Sequence, residues 1–250
     1  MASMGEQSDM GKYSKPPILE VVFELRFSEP VSAARVKHAG ERMAGRYANQ
    51  AEQEQVEAVA NFDTQTADFK VVGKAVHHTS SDQTELLSIS TANLAWAKRA
   101  PYEGWHAFLE RVTAELGPVL KALQHPSFAR VGLRYVNRID VPVDDDGLTR
   151  YEDYINYKIE AGPFLEPSSG YTWVIRSYRP EENLHVTLQS AVVAPEISGT
   201  GAFTFDIDVA AETGIPKDVD ALMLRLETMR VLKNQIFEAG ITERARELYK

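Results

Sequence analysis

The sequence predicts an α+β fold, with antiparallel sheet made of many short strands and long helices packed on one face. Three observations carry this. Ile18 to Phe27 and Phe128 to Val141 alternate apolar and polar residues, the period of a half-buried strand. Tyr102 to Leu123 and Asp218 to Ala239 repeat apolar residues at three- and four-residue spacing, the period of a helix resting on a core. Polar clusters such as Thr79-Ser80-Ser81-Asp82 separate short β-prone runs closely enough for hairpins.

Taken in order, residues 1–15 are polar, lack the apolar run of a signal peptide, and read as a flexible tail that Pro16-Pro17 ends. The first strand sets Leu19, Val21, Phe23, Leu25 and Phe27 on one parity. A helix over Val31 to Tyr47 follows, with Val36, Ala39, Met43 and Tyr47 on its apolar side. Gln50 to Gln55 is polar and reads as a loop. Val56 to Phe62, Phe69 to Val76, Thr84 to Ser90 and Leu94 to Lys98 read as strands. The helix over Tyr102 to Leu123 carries Pro118, a potential kink. The long strand from Phe128 ends before an Asp144-Asp145-Asp146-Gly147 turn, and Tyr151 to Tyr157 reads as a short helix. Strands over Tyr171 to Tyr178, Leu184 to Val192 and Phe203 to Val209 precede the last long helix. Gly240 is placed to stop that helix as a C′ glycine, and Thr242 to cap a final turn.

The order repeats. Strand ends at Phe23-Glu24-Leu25-Arg26 and Tyr135-Val136-Asn137-Arg138, and helix starts after Pro101 and Pro216, suggest a duplicated β-α-β-β-β-α unit. The expected division is a tail over 1–15, an N-terminal half over 16–125 and a C-terminal half over 126–250, the halves forming one integrated domain.

Composition narrows the function classes. With 250 residues and 44% hydrophobic content, the chain can bury a sizeable core. The absence of cysteine excludes disulfides, thiol nucleophiles, zinc–thiolate sites and iron–sulfur clusters, and it fits a reducing, cytoplasmic setting. No apolar run approaches membrane-spanning length, so no membrane partner is expected. A net charge of −9 disfavours nucleic acid, whose binding depends on neutralising phosphates.

Three segments, Lys15-Pro16-Pro17-Ile18-Leu19-Glu20-Val21-Val22-Phe23-Glu24-Leu25-Arg26-Phe27, Val131-Gly132-Leu133-Arg134-Tyr135-Val136-Asn137-Arg138-Ile139 and Asn234-Gln235-Ile236-Phe237-Glu238-Ala239-Gly240-Ile241-Thr242-Glu243, occur in this order over nearly the whole chain. Together they resemble a sporadically distributed bacterial family of uncharacterised proteins of similar length. The resemblance implies no catalytic residues, cofactor or substrate. The family's patchy distribution implies a mobile-element, toxin–antitoxin or phage-defence setting.

The strand parity opposite the core carries the chemistry. It sets out Glu20, Glu24 and Arg26, then Arg134, Arg138 and Asp140, then Arg176, then His185, Thr187 and Gln189, and last Asp206 and Asp208. One reading is the solvated face of an antiparallel sheet. The other is a polar groove, with Arg26, Arg134, Arg138 and Arg176 binding a phosphate or carboxylate and Glu24 or His185 as acid or base. Glu20, Glu24, Asp206 and Asp208 have the oxygen chemistry for Mg²⁺, and Glu24-x-Arg26 faintly resembles tunnel-type triphosphate hydrolases, whose full acidic signature is missing.

His185-Val186-Thr187-Leu188 fits the strand motif of two-histidine phosphoesterases. The second copy, His77-His78-Thr79-Ser80, ends in serine at an expected turn. His77 and His78, as strand neighbours, point to opposite faces and make a poor metal pair, so no metal site is assigned. There is no H-E-x-x-H, G-x-S-x-G or G-x-x-x-x-G-K-S/T motif. Trp96, Trp105 and Trp173 read as core or interface aromatics. Leu222, Leu226, Met229, Leu232 and Ile236 form a broad helix stripe, with Met223, Val231 and Phe237 beside it, which fits sheet packing or a homodimer or protein-partner surface. The expected function is a binding or interaction protein, an accessory factor. The alternative is a phosphate- or nucleotide-directed hydrolase using the strand-face groove. The sequence names no cofactor.

Overall fold

The computed structural model describes residues 13–61, 66–157 and 170–250. One antiparallel sheet of nine strands runs through both halves of the chain. The strands are β1 (Ile18–Phe27), β2 (Asn49–Asn61), β3 (Thr66–Thr79), β4 (Glu85–Ser90), β5 (Asn93–Arg99), β6 (Phe128–Pro142), β7 (Thr172–Arg179), β8 (Leu184–Val193) and β9 (Thr200–Ala211). Their spatial order is β2-β3-β4-β5-β1-β6-β9-β8-β7. The helices are α1 (Ala33–Met43), α2 (Trp105–Ala122), α3 (Val219–Gly240) and α4 (Glu243–Glu247).

The alternation in sequence sets the two faces. On β1, Val21, Phe23 and Leu25 are fully buried beneath the helices, and Glu20, Val22, Glu24 and Arg26 point the other way. On β6, Leu133, Tyr135, Ile139 and Val141 are buried on that same side. The helix layer adds Val36, Ala39 and Met43 from α1, Phe108, Val112 and Leu116 from α2, and Leu222, Leu226 and Met229 from α3. The other face has no helix over it among the described residues.

Several expectations change. The helices span 11, 18, 22 and 5 residues, so long helices are not the rule: α1 and α4 are short. The helix expected from Val31 starts at Ala33 because Ser32 caps it, its side chain accepting from Arg35 N–H at 3.4 Å, while Val31 N–H donates to Thr91. Gln50 to Gln55 is not a loop but part of β2, paired with Gly73 to His78. As an edge strand it is exposed on both sides over residues 49–54, so no alternation marks it. His77 and His78 lie within β3, and the turn begins only at Ser80. Tyr151 to Tyr157 holds one 3-10 turn, Tyr151–Asp153.

Helix α2 runs unbroken through Pro118. A proline leaves the carbonyl four residues earlier without its helical donor. That carbonyl belongs to Ala114, and Arg46 Nη1 donates to it at 3.3 Å. Gly240 is the last residue of α3 rather than a left-handed stop, and its role is packing. A Cβ there would lie 2.4 Å from Cζ of fully buried Phe205. Thr242 does cap the final turn, accepting from Ala245 N–H at 3.2 Å. Of the expected tail, residues 1–12 lie outside the described residues. Tyr13 hydroxyl donates to Glu238 at 2.8 Å, and Ser14 N–H donates to Tyr249.

Both halves place their first strand beside their last. The order is β1-β5-β4-β3 in one and β6-β9-β8-β7 in the other, followed by α2 and α3. They differ in what lies between. The first half inserts α1 and β2, with β2 outside β3. Among the described residues the second half has no α-helix there and no strand outside β7.

Candidate functional site

The open sheet face holds the residues singled out by the strand parity. Register places them in rows, because residues directly opposite one another in an antiparallel sheet share a face. One row runs Val22, Arg134, Asp208, Thr187, Arg176 across β1, β6, β9, β8 and β7. The next runs Glu20, Val136, Asp206, Gln189, Val174. Glu24 lies one row to the other side, with Gly132, Ala210, His185 and Tyr178. The strands thus share one sheet face, but the candidate anion-binding arginines do not share one place on it.

The centre of the face is a lattice of closed ion pairs. Arg130 Nη1 donates to Glu24 Oε2 at 2.7 Å, and its Nη2 donates to Asp208 Oδ2 at 2.5 Å. Arg134 grips Asp206 through Nε at 2.9 Å and Nη2 at 2.5 Å, a bidentate fork. Arg138 Nε and Nη2 donate to Asp140 at 3.2 and 3.1 Å, Nη1 to Glu196 at 3.0 Å, and Nη2 to the Ala194 carbonyl at 3.0 Å. Arg26, largely exposed, stands 3.7 Å from Glu24. Arg99 Nε donates to Glu20 at 3.3 Å. Arg176 is exposed, and among the described residues no carboxylate pairs with it.

Arg130, which the sequence reading did not single out, organises this lattice. It reaches Glu24 and Asp208 by lying flat across Gly132: a Cβ at Gly132 would stand 2.2 Å from Nη1 and 2.9 Å from Cζ of Arg130. The glycine therefore makes room on the strand for a neighbouring guanidinium. The signal in sequence was a glycine inside a strong strand pattern with an arginine two positions earlier on the same parity. Burial pushes the Asp208 carboxyl above its ordinary range, while Arg130 and Arg134 pull the other way.

The separations decide what the face can do. Arg26 stands opposite Arg130, eight residues along β6 from Arg138, a span of about 26 Å. Arg134 and Arg176 share a row but lie three strand spacings apart, about 14 Å. No small anion bridges such distances. His185 is exposed, its ring 4.8 Å from that of Tyr178 and its Nε2 3.8 Å from Glu212. His77 shares a row with His185 but lies six strands away, about 29 Å. A pair of histidines working as acid and base is excluded on distance.

His78 points into the core, fully buried, with neither ring nitrogen hydrogen-bonded, and burial holds its pKa below the ordinary histidine value. Nearby, buried Glu115 accepts from Tyr47 hydroxyl at 2.8 Å and Trp96 Nε1 at 2.9 Å. Trp96 and Trp105 are core residues, and Trp173 packs half-buried against Tyr157 and Phe205. Among the described residues no group of three or more acidic or histidine side chains is placed to hold a metal ion. Among them, too, no helix is long and apolar enough to cross a membrane. No protein-family model matches the chain, and no curated protein matches it significantly.

Proposed function

We propose that this chain is a non-catalytic interaction protein, an accessory factor that works through its sheet rather than through a pocket. The observation that carries this reading is the spacing and pairing of the strand-face arginines. Arg26 and Arg138 lie about 26 Å apart along the sheet, beyond reach of one phosphate or nucleotide. Arg130, Arg134 and Arg138 each already hold a carboxylate, so binding an anion there means breaking an ion pair first. The hydrolase alternative needs a convergence that this arrangement does not offer.

The repeated strand order supports descent of the two halves from one duplicated unit. A cysteine-free chain fits the cytoplasm. A phage-defence or toxin–antitoxin setting rests on the family resemblance alone. The test is a thermal-shift screen with ATP, inorganic triphosphate and Mg²⁺, singly and together. The expected result is no rise in Tm beyond that given by matched ionic strength. A clear rise that Arg138→Ala or Arg134→Ala abolishes overturns the reading in favour of the hydrolase.

A further inference from the structure

We propose that two copies of this chain join through β7, antiparallel about a two-fold axis at Ile175, so that their sheets become one. Strand β7 is an edge that, among the described residues, carries few of the usual protections: its charges are Arg176 and Arg179, and the second is paired with Glu182. Natural edge strands are kept apart by charged side chains, proline, bulges, short length or covering elements. Strand β7, Thr-Trp-Val-Ile-Arg-Ser-Tyr-Arg, is eight residues long, contains no proline or glycine, and pairs with β8 without a register shift. Among the described residues it pairs with β8 alone. Seven of its eight residues are exposed. They include Val174 at 42%, Ile175 at 44% and Tyr178 at 50%, so apolar side chains stand out on both faces. β-Branched and aromatic residues of this kind are suited to a strand with neighbours on both sides. The first half of the chain fills the matching position, because β2 lies outside β3.

The occupant follows from direction and charge. Every neighbouring pair in the sheet is antiparallel, so the two edge strands, β2 and β7, run the same way. Keeping the open faces on one side, a copy added by its β2 edge would pair parallel and head-to-tail, an arrangement that propagates instead of closing. A copy added by its own β7 pairs antiparallel and closes as a dimer. With Ile175 on the axis, Val174 faces Arg176, Trp173 faces Ser177 and Thr172 faces Tyr178, and no like charges are directly opposed. Centring on Arg176 would set two arginines against each other. Arg179 is already closed by Glu182 at 2.9 Å.

This inference shares with the functional reading only the premise that the sheet makes contacts. The nucleotide screen tests that reading, and cross-linking tests this one. The chain has no cysteine, so a single introduced one reports alone. Directly opposed Cα atoms in an antiparallel pair lie about 4.5–5.5 Å apart, within the range a disulfide spans. The full-length chain is expected to elute with twice its 27.9 kDa mass by light scattering. Ile175→Cys is expected to form a covalent dimer under mild oxidation. Leu224→Cys, on α3 and 71% exposed, is expected to remain uncross-linked under the same conditions. Ile175→Lys, which sets like charges on the axis, is expected to halve the mass with unchanged far-UV circular dichroism. A monomeric wild type at the highest soluble concentration overturns the proposal. So does cross-linking of Leu224→Cys as fast as that of Ile175→Cys.

Discussion

Replacing Gly132 with alanine tests whether the open face is held by Arg130. Alanine is ordinarily the better strand residue, so at an unconstrained site the change stabilises by roughly 0.5–1 kcal/mol. Here the new Cβ would stand 2.2 Å from Nη1 of Arg130. The clash is with the end of a flexible side chain, so the guanidinium swings away and the backbone stays in place. What is lost is the hydrogen bond to Glu24 at 2.7 Å and the one to Asp208 at 2.5 Å. Their side chains are 14–25% exposed, which leaves them only partly screened. A hydrogen bond to a charged group contributes about 1.5–3 kcal/mol. Part of the pair's worth returns when Arg130 and Glu24 re-enter water, so the two bonds together are worth about 2–3 kcal/mol. Set against the gain from alanine, Gly132→Ala should destabilise by about 1–2.5 kcal/mol. Urea unfolding followed by circular dichroism measures this as a lower midpoint with unchanged slope. In an Arg130→Met background the same substitution should be neutral or stabilising, because nothing remains over the glycine. A Gly132→Ala variant as stable as the wild type, or more so, would refute the reasoning by its sign alone.

Gly240→Ala should destabilise by about 1–3 kcal/mol, because the Cβ meets the ring of fully buried Phe205 at 2.4 Å; a thermal melt checks this against the mild stabilisation usual for glycine to alanine in a helix. His78→Leu should raise stability by about 1–2 kcal/mol at pH 7.5, since the histidine buries two ring nitrogens with no partner. Burial lowers the folded-state pKa of His78, so the wild type loses stability as the pH falls from about 6.5 toward that lower value, and the variant's advantage in urea should widen at pH 5. Asp208 has a raised folded-state pKa, so its contribution favours the folded state below about pH 3.9 and is lost as the pH rises through the folded value; Asp208→Asn should therefore gain on the wild type between pH 3.5 and 7 in matched thermal melts, and a fixed difference would refute the shift.

The sequence made the central strands legible because their two faces meet different surroundings. β1 and β6 pack one parity under the helices and turn the other outward, so period-two alternation marks them. Residues 49–54 of β2 gave no such signal, since a stretch of edge strand exposed on both sides has no reason to alternate, and it looked like a loop while the strand signal began only at Val56. The face carrying Glu24, Arg134, Arg138 and Asp208 was readable from parity alone. Which of those charges meet was not, because Glu24 and Arg130 are 106 residues apart in sequence and Arg134 and Asp206 are 72 apart. Pro118 and Gly240 show the same limit. Each was read by its local rule, and each is decided by a distant contact, Arg46 on Ala114 and Phe205 against the helix end.

The same pairing explains how the open face can be wide and polar with most of its central charge already paired. A general acid or base needs a pKa set apart from its neighbours and room for a reacting atom within hydrogen-bond reach. On this face the arginines and carboxylates alternate across β1, β6 and β9, and each mostly satisfies the next. Burial pushes the Asp208 carboxyl upward, and Arg130, which donates to its Oδ2, pulls the other way. Such a lattice ties three strands together in register. Among the described residues no carboxylate pairs with Arg176, which lies at the sheet's edge on β7 beside exposed Val174 and Ile175. Paired charge in the middle and exposed apolar surface at the rim are what the proposed β7 pairing rests on, and the experiments that test it belong at that edge rather than at the centre of the sheet.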